Sequence, residues 1–391
     1  MNFSGNVDIF TIVIYVLVAL SISFFTRKAM NAGGISSQYA EIDMVCSKRY
    51  WDIAVVPIFM LTLFATFRLV GVDIGGRDTL SYIKDFLQAT SGLSEKGTFF
   101  SERLFYEYLH VIRIFTDNYR VFFLISYLFI SWSYMMYIKK YSRLEYSTIP
   151  YLLLVFLFIK GFSSVRTSLA VALITIGLVY IDKRRIFSIC LMVASVFVHR
   201  MSILFILVFL FYYLFKKYLC RIPRIKLVIY LGIFIAASVV VSSKLRSIIM
   251  AFDWMSSTDL WYVSYKGISL LEKWPMWFAH ALLLVCYLIV ARKETETDKE
   301  HIAPVKIIFL FDIIILPMAL TLGIYRANEF FFINRMVLWG YVINLGSNFF
   351  AKNSKQIYKI IVLCLFIAWF IFRLYSEGFD LGVMYYRFSI S

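Results

Sequence analysis

Residues Ser163 to Ser202, SSVRTSLAVALITIGLVYIDKRRIFSICLMVASVFVHRMS, form two apolar runs joined by one basic turn, Asp182-Lys183-Arg184-Arg185. Inside a bilayer an unpaired backbone amide has no water to meet, so a run of this kind folds either as a helix or as part of a closed barrel. The alternating pattern of a barrel strand is absent, and both runs are expected to be helices. The three cations of the turn hold it in the cytoplasm under the positive-inside rule. Arg166 and His199 then emerge together on the opposite side. Arg166 to Asp182 is roughly 24 Å of helix and Arg185 to His199 roughly 21 Å, at about 1.5 Å per residue, which puts both side chains near the outer membrane-water boundary.

The pattern recurs along the chain. About twelve apolar stretches read as spans: 8–25, 51–70, 120–138, 146–162, 165–181, 186–200, 201–215, 227–242, 274–291, 305–323, 335–350 and 357–375. Apolar residues make up 61% of the chain and charged ones 16%, too little polar surface for a soluble protein of this size. The expected fold is all-α, a polytopic membrane helical bundle forming a single transmembrane domain over 1–391. The opening segment MNFSGNVDIF has no basic side chain, whereas Arg27, Lys28, Lys48 and Arg49 follow the first span, so the amino terminus should face outward on an uncleaved anchor. A net charge of +16 would suggest nucleic acid in a soluble chain; here most of it flanks spans and faces anionic lipid headgroups. Cys46 and Cys220 fall in inner loops and Cys190, Cys286 and Cys364 inside spans, with neither a disulfide framework nor metal-ligand spacing.

Two outer segments, 68–119 and 243–273, are longer than connections require and are expected to contribute to substrate binding. In the first, Leu104, Phe105, Tyr108, Leu109, Ile112 and Phe115 recur at helical spacing opposite Glu102, Arg103, Glu107, His110, Arg113 and Asp117, an amphipathic helix on the outer leaflet. The second mixes Trp254, Trp261, Tyr262 and Tyr265 with Asp253, Asp259 and Glu272, which suits interfacial anchoring or stacking on sugar rings.

Arg166 opens a helix running inward, where its charge opposes the positive end of the dipole unless an anion is held there. Ser163 and Ser164 are candidate caps for that end. Arg335, in EFFFINRMVLWG, opens a comparable helix, with Arg326 nine residues earlier. Each arginine either snorkels to lipid phosphate or holds an anionic substrate. His199 is either a candidate general base or a structural histidine at a helix end. Arg68 ends an outgoing helix, where the dipole favours a cation. Asp73, Arg77, Asp78 and Tyr82 follow in the Gly-bearing stretch RLVGVDIGGRDTLSYIKDF, a plausible binding loop. Asp312 in IIFLFDIIILP is an intramembrane acid that either pairs with a neighbouring helix or carries a proton.

Three elements in order, Arg68 with Gly76-Arg77-Asp78-Thr79-Leu80-Ser81-Tyr82, then Arg166-Thr-Ser-Leu-Ala170, then His199-Arg-Met-Ser202, resemble the EpsG-like and Wzy-type O-antigen and exopolysaccharide polymerases. Glu102 ahead of an aromatic-rich helix fits the same layout, and Arg200 after the histidine departs from it. The resemblance covers roughly residues 65 to 215 and implies a fold similar to the integral-membrane GT-C type. It implies a membrane glycosyltransferase that moves glycan from undecaprenyl-diphosphate to the next lipid-linked repeat unit on the outer face of the bacterial inner membrane, with no cofactor. Its partners would be undecaprenyl-diphosphate-linked oligosaccharides and membrane lipids, with a chain-length regulator protein as a further candidate and no nucleic acid. With no metal-ligand pattern to neutralise the lipid pyrophosphate, arginines are expected to do so. On this reading Arg166 and Arg335, assisted by Arg68 or Arg326, bind pyrophosphate. His199 deprotonates the acceptor hydroxyl, and Asp78, Tyr82 and Glu102 orient sugars. The alternatives are a lipid-linked glycan transporter or flippase, disfavoured because apart from Asp312 the spans hold almost no polar path, and an O-antigen ligase-type transferase, which would use the same residues. A membrane acyltransferase is disfavoured because His110, His280 and His301 have no suitable partner pattern.

Overall fold

The computed structural model describes residues 8–32, 48–71, 74–89, 102–141, 149–219, 224–251, 274–294, 296–321, 329–377 and 383. Asp73, Arg326, Cys46, Cys220 and the aromatic segment 252–273 lie outside the described residues. Each of the apolar stretches seen in the sequence contains helix over most of its described residues, and among the described residues extended pairing is limited to an isolated bridge between Gly71 and Ile74. Among the described residues, five helices are long and apolar enough to cross a membrane, within Ile9–Met30, Lys48–Thr66, Tyr119–Tyr141, Ile302–Thr321 and Ser354–Tyr375. The protein is a helical membrane protein.

The chain divides into two compact units, Met1–Ser202 with Ser347–Ser391, and Ile203–Gly346. In the first unit, α1 (Ile9–Ala32) packs on α2 (Lys48–Thr66), and α2 on α5 (Tyr119–Tyr141). Between them in sequence come two short helices, α3 (Thr79–Gln88) and α4 (Arg103–Phe115). α6 (Ile149–Lys160) leads through a tight turn into the hairpin of α7 (Val165–Tyr180) and α8 (Arg185–Val198). At 16 and 14 residues α7 and α8 are shorter than a usual span. α7 is apolar on every side and correspondingly buried on nearly every side, packed against both α5 and α8.

An aromatic column along α5 sets the position of everything above it. Phe122 meets Phe86 of α3 and Phe105 of α4, Phe123 stacks on Tyr127, and Tyr127 meets Phe158 and Phe162 beside the α6–α7 turn. α4 is held on this column by buried Phe105, Leu109 and Ile112 and by the Tyr108 hydroxyl bonded to Ser126 at 2.8 Å. Its other side leaves Leu104, Val111, Ile114 and Phe115 exposed, as an amphipathic helix on a bilayer surface would. At the far end of the α7–α8 hairpin, Lys140 donates to the Leu178 and Val179 carbonyls and to the Asp182 carboxylate at 2.8 to 3.2 Å. This ties the end of α5 to the basic turn.

The second unit begins along α9 (Ser202–Leu219) and contains α10 (Arg224–Ala251), α11 (Trp274–Val290) and α12 (Glu296–Thr321), followed by α13 (Phe332–Ser347). α10 packs on α12, where Ser238 donates to the Ile314 carbonyl at 2.7 Å. α14 (Lys352–Glu377) returns to the first unit.

Candidate functional site

The loop between α2 and α3 is folded around Arg68. Its side chain is 1% exposed, with Nε on the Gly75 carbonyl at 2.5 Å, Nη1 on the Ala65 carbonyl and Nη2 on Thr79 Oγ1 at 3.3 Å. The guanidinium lies 4.5 Å from the centre of the Phe162 ring, 4.9 Å from Phe123 and 5.2 Å from Tyr127. Gly75 and Gly76 carry φ of +73° and +111°, and a Cβ on Gly76 would run into the Phe162 carbonyl. That closeness is used: Thr79 donates to the Phe162 carbonyl at 2.8 Å, and the Arg77 amide donates to Ser163 Oγ at 3.0 Å. The start of α3 is thereby stapled to the start of α7. Arg68, expected from the sequence to assist in binding substrate, is thus buried, with all three of its nitrogens bonded inside the protein and aromatic rings around it.

The two serines do not cap α7 either. Ser163 accepts from Arg77, and Ser164 points its hydroxyl back to the Lys160 carbonyl at 3.2 Å. What offsets the Arg166 charge at this helix start is a carboxylate. Glu102, just ahead of α4, takes Arg166 Nη1 on Oε2 and His199 Nδ1 on Oε1, the latter at 2.5 Å. Three residues far apart in sequence thus share one carboxylate. His199 can reach it because α8 ends there: its amide still donates to the Ser195 carbonyl at 2.8 Å, while its own backbone is extended and swings the ring off the helix. The side chains of Glu102 and His199 are each 12% exposed and that of Arg166 is 27%, so the guanidinium is the most accessible member of the group.

Burial alone would raise the Glu102 pKa, but the His199 hydrogen bond and the positive fields of Arg166, His199 and Arg200 outweigh it and hold this carboxyl below its ordinary range. Glu102 is accordingly ionised at neutral pH and can only accept hydrogen bonds. His199 must then donate from Nδ1, and in the neutral imidazole the lone pair sits on Nε2. An ionised carboxylate, an oriented imidazole and a partly accessible guanidinium together have the chemistry needed to accept a proton and to hold an anion.

Tyr82 and Phe105 lie under the guanidinium at 5.5 and 5.6 Å. Tyr82, expected from the sequence to orient sugars, is 2% exposed with its ring under Arg166. Asp78 stands immediately before α3, half-buried, without capping the helix through its side chain. Sequence reasoning missed Tyr106, which interacts with both Arg166 and Glu102 and whose phenol is pushed up in pKa chiefly by burial. The available signal was its position one helical turn after Glu102.

Arg335, expected from the sequence to bind pyrophosphate, has a carboxylate partner inside the protein. In the second unit its Nε meets Asp312 Oδ2 at 2.9 Å, and the same oxygen meets His280 Nε2 at 3.1 Å. Arg335 thus neutralises a buried acid of its own unit, and His280, which showed no partner in the sequence pattern, has one across α11 and α12. A second buried network lies nearby, with Glu294 accepting from Lys306 at 3.1 Å and from the Tyr341 hydroxyl at 2.7 Å.

The EpsG family model matches residues 53–388, which takes in every member of the site. The chain belongs to the EpsG family. No curated protein and no solved structure matches it. Membership of the EpsG family supports a polysaccharide polymerase-type role. Within this EpsG chain the matched region contains all three ordered elements, and the structure brings two of them, Arg166 and His199, onto Glu102 while the third, at Arg68, builds the loop beneath them.

Proposed function

We propose that this EpsG protein is a membrane glycosyltransferase that polymerises oligosaccharide repeat units carried on undecaprenyl diphosphate, at the outer face of the bacterial inner membrane. The observation that carries the proposal is the Glu102 carboxylate bonded at once to His199 and Arg166. His199 Nε2 takes the proton from the acceptor hydroxyl of the incoming unit. The freed oxygen pair forms the new bond to the anomeric carbon of the growing chain. The bond from that carbon to the lipid pyrophosphate breaks, its electron pair leaving on the phosphate oxygen, which Arg166 stabilises. Glu102 fixes the imidazole tautomer and compensates the imidazolium that forms.

The outward placement is supported by the hairpin of α7 and α8. Arg166 stands at one end and the Lys183-Arg184-Arg185 turn, joined by Lys140, at the other, about 24 Å apart for 16 residues of helix. We take all twelve apolar stretches as crossings in this reading, and a GT-C type fold goes with it. A ligase-type transferase would use the same base and the same cation, and it is the product that separates the two. A strain lacking this gene should show surface polysaccharide reduced from a ladder to a single repeat unit, restored by the wild-type chain and not by His199→Ala. An unchanged ladder in the deletion strain would overturn the proposal, and loss of every surface unit would favour ligation or export.

A further inference from the structure

The carboxylate of Glu102 is shared, and sharing has a consequence for when the base is strong. While Arg166 holds Oε2, part of the negative charge that would stabilise a protonated His199 is already compensated. Arg166 itself is the most exposed of the three, its guanidinium over the aromatic floor of Tyr82 and Phe105 and held also by the Tyr82 and Tyr106 hydroxyls. A pyrophosphate arriving there meets Arg166 before it can meet His199. Once the guanidinium turns its charge to that anion, the full carboxylate charge of Glu102 falls on Nδ1–H of His199.

We propose that Glu102 is a relay through which capture of an anionic diphosphate by Arg166 raises the proton affinity of His199. The inference rests on the polymerase reading for the identity of the anion. It makes the donor's leaving group the signal that prepares the base for the acceptor. With no donor bound, the group is a closed, nearly neutral cluster and His199 is a poorer base. With donor bound, the proton removed from the acceptor hydroxyl goes to Nε2, and its charge is balanced by the ionised Glu102 that Arg166 has partly released. The order of binding follows: lipid-linked donor first, acceptor second. The other charged and titratable groups facing this cluster are Arg200 after α8, Tyr106 on α4, and Tyr82 and Asp85 on α3. Arg200 acts on Glu102 in either state and so sets the baseline without responding to the ligand.

The test uses the full chain in lipid nanodiscs and inorganic pyrophosphate as probe. Carbethoxylation by diethyl pyrocarbonate, which attacks neutral imidazole, is read at the His199 peptide by mass spectrometry as a function of pH. The expected result is that saturating pyrophosphate raises the midpoint of the wild-type curve by about one pH unit, a tenfold change in proton affinity. In Glu102→Gln, which removes the charge, and in Glu102→Asp, which is too short to span both partners, at least half of that shift should disappear. A wild-type midpoint that does not move, whether because pyrophosphate fails to bind or because binding is not felt at His199, overturns the relay. So does an equal shift in either variant, which would mean a direct field from the anion, and so does a lowered plateau with no change in midpoint, which would mean simple shielding. The readout needs no polymerisation, so an unmoved midpoint alongside a ladder that depends on His199 would remove the relay and leave the polymerase reading standing.

Discussion

Arg68 is expected from the sequence to assist in binding substrate and is buried in the structure among partners of its own, and its replacement separates the two roles. Truncation to alanine withdraws a charged donor from the Ala65 and Gly75 carbonyls and from Thr79 Oγ1, and removes the cation from between three aromatic rings. The single Thr79 hydroxyl proton is shared between the Phe162 carbonyl at 2.8 Å and the Gly75 carbonyl at 2.9 Å, so the loss falls on the Ala65 carbonyl, in part on the Gly75 carbonyl, and on the ring contacts. A buried acceptor stripped of its donor costs about 1–3 kcal/mol, and a desolvated cation over aromatic faces contributes up to about 2 kcal/mol. The expected destabilisation is therefore about 3 kcal/mol. Arg68→Lys keeps the charge and loses the fork, so it should recover only part of this. Thermal unfolding of the protein in nanodiscs, followed by tryptophan fluorescence, should place the midpoints in the order wild type, Arg68→Lys, Arg68→Ala, with transfer activity falling in parallel. Variants that unfold with the wild type but bind inorganic pyrophosphate more weakly would return Arg68 to the substrate and refute the structural assignment.

Gly76→Ala, with φ at +111° and a Cβ directed at the Phe162 carbonyl, should destabilise by about 2 kcal/mol or more, whereas Gly71→Ala meets only the Ile74 side chain at 3.8 Å and should be tolerated. The two variants can be compared in the same unfolding assay. Because the folded-state pKa of Glu102 lies below its unfolded value, its contribution to stability is complete above the ordinary carboxylate range and is lost as pH falls through the depressed value. The wild-type advantage in unfolding midpoint over Glu102→Gln should accordingly be constant near neutrality and shrink on acidification below pH ~4.5; an advantage that grows in acid would reverse the assigned sign. In the second unit, Asp312→Ala leaves Arg335 largely buried without its carboxylate and should cost about 3–5 kcal/mol. Adding Arg335→Met should recover much of that loss, and strict additivity in this double-mutant cycle would mean the ion pair contributes nothing.

Helices were the most legible part of the chain, because apolar runs broken by basic turns have few other solutions in a bilayer. The amphipathic helix after Glu102 was equally readable, since Phe105, Leu109 and Ile112 follow helical spacing and are the residues that bury. The number of membrane crossings was less so: α7 and α8 are too short to register by length, and the apolar character of α7 is also that of a helix buried by its neighbours, whereas α8 leaves Ile186, Ile189 and Val193 exposed. At the site, Arg166 and His199 could be singled out because each ends an apolar run. Their meeting on Glu102 could not, because no local pattern encodes a contact between residues 64 and 97 positions apart. Arg68, Tyr82 and Arg335 carry the right chemistry for substrate, and no local pattern shows the partners they also have within the protein. For Arg335 and His280 the missing information was a shared acid, Asp312, on a different helix.

The central claim is that Glu102, Arg166 and His199 act together on a lipid-linked glycan, and chain extension by the purified protein in nanodiscs supplied with undecaprenyl-diphosphate-linked repeat units tests it most directly. Joint action of the three residues requires that the wild type build a ladder of products, and that His199→Ala and Glu102→Gln each slow extension by about 100-fold or more while still binding the lipid-linked unit. Extension by His199→Ala at the wild-type rate would contradict it.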